Sequence, residues 1–165
     1  MPAGAPGAPA ATRLAGAIYG TILVMSVITA KSVAAEPDAA TALIAAVVTS
    51  VVFWAAHVYS DALAAHIRLG TRRPEWQRLR AIAGEEWPMV QSVVPPGACL
   101  ALGILGVVAD DTAVLLALVA GVVALAAWGS ASARRSGASP AGVVIAAGVN
   151  VALGLVVVGL KLLVH

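Results

Sequence analysis

The chain has 165 residues, 61% of them hydrophobic and only 11% charged, with a mean hydropathy of +0.96 and a net charge of +2. Soluble domains carry roughly 25% charged residues, so this composition excludes an ordinary soluble domain and leaves a membrane protein. No run alternates like a barrel strand, the single Cys99 provides neither a disulfide framework nor a cysteine metal cluster, and no basic patch interleaved with aromatics points to nucleic acid.

Residues 1–12, MPAGAPGAPAAT, have no periodicity and little to bury, and read as a disordered tail ahead of a single transmembrane domain over 13–165. The first apolar run covers about 14–35 and ends in SVAAE, which has the look of a signal-peptide cleavage site. A signal core spans only ~7–15 residues. This run is longer and contains Lys31, so it is expected to be a retained span. Within it GAIYG places Gly16 and Gly20 at the G-x-x-x-G spacing that lets helices approach closely. Tyr19 is one of its few polar side chains.

The second run, about 39–66, follows EPD and carries VVFWAAHVYSDALAAHIRLG near its end. At ~100° per residue, Ser50, Trp54, His57, Asp61 and Arg68 form one stripe, with Tyr59 and His66 on the other side. His57 and Asp61 stand four residues apart, so the carboxylate can orient the imidazole, as in a proton relay or a cation site. Ionisable groups inside a bilayer cost several kcal/mol and mark functional candidates. The competing reading is a solvated helix end, because Asp61 lies near the interface and His57 only about 6 Å deeper.

The linker, 67–86, contains TRRPEWQRLRAIAGEEW, an amphipathic segment in which Trp76, Leu79, Ile82 and Ala83 share a face. Arg72, Arg73, Trp76, Arg78 and Arg80 are expected to anchor it on anionic lipid headgroups. An alternative is a partner-docking or ligand-sensing segment using Glu75, Glu85, Glu86 and His66. The third run, about 87–109, holds Pro95 and Pro96, which remove two backbone donors and impose a kink or a break. The fourth, about 112–132, follows DD; the fifth, about 141–164, follows a basic turn in which Ser139 can cap and Pro140 suits the first helical position. Asn150, the strongly polar residue of the fifth run, either joins two helices by a hydrogen bond or lines a path.

These runs give an all-α polytopic membrane protein, a bundle of five transmembrane helices. Cytoplasmic loops retain Arg and Lys. With the N-terminus inside, the inner segments hold Arg13, Arg68, Arg72, Arg73, Arg78, Arg80, Arg134 and Arg135, against Lys31 and Lys161 outside. The N-terminus is therefore expected inside and the C-terminus outside. No G-x-S-x-G, H-E-x-x-H, P-loop or C-x-x-C occurs, so an enzyme is not expected, nor a cofactor or a resident metal.

Two resemblances bear on function. The closing segment around ARRSGASP resembles the last helices of the vacuolar iron transporter family, GAIYGTI resembles its GxNDGxV motif, and AAHVYS its xGEYVS motif. The resemblance implies a five-span transporter fold. Tyr19 stands where that family has its transport aspartate, Val58 where it has the second-helix glutamate, and a short Arg-rich loop replaces its acidic metal-binding domain. Iron transport by that family's mechanism is therefore not implied. RLAGAIYGTILV and SVVFWAAH are also similar to the first two helices of bacterial homologues of the lysosomal potassium channel, with Ala15 and Gly16 replacing the motif's Ser and Asp and with six spans in that family.

The sequence thus leads to a multi-pass protein of a bacterial-type plasma membrane, a homodimer in contact with lipid, with a transport or channel-like role. The rival from another class is a membrane scaffold or accessory subunit that does not transport. His57, Asp61, Ser50, Asn150 and Tyr19 are the candidate pathway residues; Gly16 and Gly20 are the packing positions.

Overall fold

The computed structural model describes residues 8–34, 38–69 and 76–164, and every regular element among them is a helix. Helix α1 spans Ala8–Ala34, α2 Ala39–Leu69, α3 Trp76–Glu86, α4 Pro88–Gln91, α5 Val94–Ile104, α6 Asp110–Arg135 and α7 Pro140–Val164. Helix α1 thus begins at Ala8, inside the stretch expected to be a tail; residues 1–7 lie outside the described residues, as do Arg72, Arg73 and Glu75.

Among the described residues, four helices are long and apolar enough to cross a membrane. The segments 76–91 and 94–104, bent by 46° at their break, make a fifth if the pair is counted as one span. The break has a chemical origin. Pro95 and Pro96 fall in the first turn of α5, where the backbone amides have no intrahelical acceptor, so the two missing donors cost the helix nothing there. Within 76–91, Arg78, Arg80 and Glu85 are exposed and the apolar stretch starts only at Trp87. Helix α3 is therefore an amphipathic linker, and Glu86 closes it on the polar side of that stretch.

The starts of α2 and α7 carry polar caps. Ser139 Oγ accepts from Gly142 N at 3.3 Å, and α7 begins at Pro140, as its sequence predicts. Asp38 accepts from Ala40 N at 3.0 Å and from the Thr41 hydroxyl. Hydrogen bonds from Thr41, the hydroxyl first, hold Asp38 below the ordinary aspartate range. Asp110, in the first turn of α6, accepts from Ala39 N at 3.2 Å and so ties the start of α2 to the start of α6.

The core lies among α1, α2, α5 and α6, where Val24, Met25, Ile28, Ala42, Leu100 and Leu118 are buried. Small residues set the helix spacing. A Cβ on Gly129 of α6 would stand 2.9 Å from the Ala146 carbonyl of α7 and 2.6 Å from Asn150 Nδ2. Asn150 itself donates to the Ala146 carbonyl one turn back, at 2.9 Å, so it satisfies its own helix while packing against α6. The outer faces of α2 and α7 stay apolar and exposed: in their most apolar windows, 22% and 11% are buried. Such faces suit lipid, which solvates Val, Ile and Leu as well as a protein core does.

Candidate functional site

Four elements meet at the end of the bundle where α1 begins and α2 ends. A cavity of about 200 Å³ opens there, lined by Thr12, Gly16 and Tyr19 of α1, His57 of α2, Glu86 of α3 and Met89 of α4. Each side chain arrives for a local reason. Gly16 has no side chain to fill the space, and a Cβ built on it would sit 3.7 Å from Glu86 Oε2. Four residues on, a Cβ on Gly20 would stand 2.5 Å from the Met89 carbonyl and 2.9 Å from Met89 Cα. The α1 backbone can therefore lie directly on α4, which brings the last turn of α3 over α1.

The His57 ring stacks at a tilt on Tyr19, with centroids 5.5 Å apart, and Tyr19 also meets Phe53 at 6.4 Å. His57 Nδ1 lies 3.0 Å from the Phe53 carbonyl one turn earlier. A carbonyl only accepts, so Nδ1 carries a hydrogen and Nε2 is the nitrogen free to gain or lose one. Asp61, one further turn along α2, is exposed.

Glu86 is 6% exposed. Burial first, and then the charge of Asp61, push its carboxyl above the usual glutamate value; His57 pulls the other way, and Glu85 adds a smaller upward push. Among the described residues, no lysine or arginine lines the cavity to hold Glu86 ionised.

No family model, curated protein or solved structure matches this chain. The site must accordingly be judged on its own chemistry. Among the described residues no group of three or more His, Cys, Asp or Glu side chains is placed to hold a metal ion. The cavity offers one carboxyl, one imidazole and one phenol around a small volume, a set suited to proton transfer or to a weakly held monovalent cation.

Of the residues singled out by sequence, Tyr19, His57 and Gly16 line this cavity, and Asp61 acts on it electrostatically through Glu86. Ser50 is fully buried with its hydroxyl unpartnered, and it does not line the cavity. Asn150 lies at the α6–α7 contact instead. Glu86 enters the sequence reading only in the alternative, ligand-sensing or partner-docking, use of the linker, beside Glu75, Glu85 and His66. The signal that marks it is its position, the last polar residue before the apolar stretch, four residues ahead of Val90 and three ahead of buried Met89.

The opposite side of α2 faces a second, largely apolar groove of about 610 Å³ against α3, lined by Trp54, Val58, Tyr59, Leu63, His66 and Leu79. Trp54 and His66 therefore share a groove rather than taking opposite sides of α2. Trp54 Nε1 donates to the Ala83 carbonyl at 3.0 Å and its ring meets Trp87 edge-on at 5.6 Å, which docks α3 on α2. Trp76 is 63% exposed with the Arg80 guanidinium 5.1 Å above its ring, a pairing suited to an interface with headgroups.

Proposed function

We propose that the protein is a multi-pass membrane transporter or channel-like protein whose polar site is the cavity among α1, α2 and α3. One observation carries this reading. A buried carboxyl, an imidazole and a phenol converge there from three separate elements inside an otherwise apolar bundle. A scaffold has no use for such a convergence, since burying a titratable group costs stability unless it is paired.

The finer reading is five spans with α4 and α5 as a broken third one, the N-terminus inside and the C-terminus outside, in a bacterial-type plasma membrane. Its support is the distribution of arginines, and under that orientation the cavity lies at the cytoplasmic end. A homodimer, with lipid against the outer faces of α2 and α7, completes it. The resemblance to the vacuolar iron transporter family supports the transporter class but not its cargo. Tyr19 and Val58 replace that family's carboxylates, and the carboxyl in the cavity comes from the linker.

The test is flux in liposomes. Purified protein is reconstituted and uptake of protons, potassium, and divalent iron or manganese is followed, with His57→Ala, Asp61→Asn and Glu86→Gln as variants. Flux of at least one ion is expected, reduced about a hundredfold or more in His57→Ala and Glu86→Gln, the scale on which a positioned proton-transfer group acts. Well-inserted protein that moves none of these ions would transfer the assignment to the scaffold.

A further inference from the structure

The cavity contains two groups with an atom that can hold a proton, Glu86 and His57, and the geometry fixes which atoms are available. His57 Nδ1 is committed to the Phe53 carbonyl, so Nε2 is the working nitrogen. Glu86 is 6% exposed and faces the same 200 Å³ space, large enough for bridging water at ~30 Å³ each. Among the described residues, the titratable groups around Glu86 are Tyr19 from α1, His57 and Asp61 from α2, and Glu85 beside it on α3; α4 contributes none, Met89 being its residue at the cavity.

We infer that this cavity is a proton-binding site in which the Glu86 carboxyl and His57 Nε2 exchange one proton. The exchange balances without a co-reactant. The O–H bond of neutral Glu86 breaks and its electron pair stays on the carboxylate. The Nε2 lone pair takes the proton, directly or through a water, and forms an N–H bond. The imidazolium keeps its Nδ1 hydrogen on the Phe53 carbonyl, and the net charge of the pair is unchanged. Tyr19, stacked on the ring, positions it. Asp61, exposed on α2 one turn beyond His57, favours arrival of a positive charge from solvent. The site deepens the transport reading by naming the proton as its ligand, and it rests on that reading only for what the proton then drives.

The experiment is an infrared pH titration of the full chain in lipid nanodiscs, reading the C=O stretch of protonated carboxyl groups. A component with a midpoint above the 4.5 of an ordinary glutamate is expected, absent in Glu86→Gln. In variants that retain Glu86, the sign is fixed by the neighbour removed. His57→Gln should move the midpoint up, and Asp61→Asn should move it down. A midpoint unchanged by His57→Gln overturns the exchange, as does the absence of any component that Glu86→Gln removes. The two readings fail separately. An intact, His57-dependent component in protein that moves no ion sinks the transport reading alone, and robust flux with no such component sinks the proton site alone.

Discussion

Gly16 and Gly20 lie one turn apart on the same face of α1, yet a methyl group meets different surroundings at the two. At Gly16 the nearest atoms, Glu86 Oε2 at 3.7 Å and Met89 N at 3.9 Å, are at ordinary contact distance. At Gly20 the obstacle is the Met89 backbone, with its carbonyl oxygen at 2.5 Å, and backbone cannot swing aside as a side chain can. Gly20→Ala should therefore lower stability by about 1–3 kcal/mol, the usual cost of overpacking. Gly16→Ala should be neutral or gain up to about 1 kcal/mol, since alanine restricts the unfolded helix more than glycine does. Thermal unfolding of both variants in the same detergent separates them, and equal melting temperatures would show that the helices do not pack this way. The G-x-x-x-G spacing announced a close approach. It did not say which glycine the approach requires, because that depends on where α4 lies.

Among the elements, α3 is the one whose placement decides the site, since it brings Glu86 over α1. Its attachment to α2 is narrow: the Trp54–Ala83 hydrogen bond, the edge contact of Trp54 with Trp87, and the half-buried Leu79, Ile82 and Ala83. Trp54→Phe keeps much of the ring but removes the donor. A hydrogen bond of this kind contributes ~0.5–1.5 kcal/mol, so amide exchange across α3 should accelerate roughly two- to tenfold, with α6 unaffected. Exchange unchanged in α3 would mean that the groove contacts alone hold it. The sequence makes most elements readable, because each long run of apolar residues is its own evidence for a helix and Pro95 with Pro96 marks the break. Helix α3 is legible as amphipathic from Leu79, Ile82 and Ala83. What cannot be read is which of its polar residues turns inward. Glu75, Glu85 and Glu86 look alike as charges in a solvated segment, and only the register in which α3 packs on α1 and α2 buries Glu86 and leaves Glu85 exposed. The stripe from Ser50 to Arg68 has the same limit, since helical spacing groups Trp54 with His57 while the fold turns one to α3 and the other to α1.

At the scale of the whole molecule, orientation in the bilayer follows from charge. Eight arginines fall on one side under the five-span reading and two lysines on the other, an imbalance that strongly favours the arginine side as cytoplasmic. Helix α6 makes this testable with two positions. It separates the loop containing Val107, 66% exposed, from the turn containing exposed Ala138, which follows Arg134 and Arg135. With the half-buried Cys99 replaced by serine, single cysteines at Val107→Cys and Ala138→Cys can be challenged in intact cells with a membrane-impermeant thiol reagent. Val107→Cys should label at once, and Ala138→Cys only after permeabilisation. The opposite pattern would put the arginines outside and move the Glu86–His57 cavity to the external face, where it would meet the external pH. Labelling of both in intact cells would mean that α6 does not cross. That outcome contradicts a 26-residue apolar helix with acidic residues at its start and arginines at its end, because such a helix is long enough to span the ~30 Å hydrocarbon core at 1.5 Å per residue.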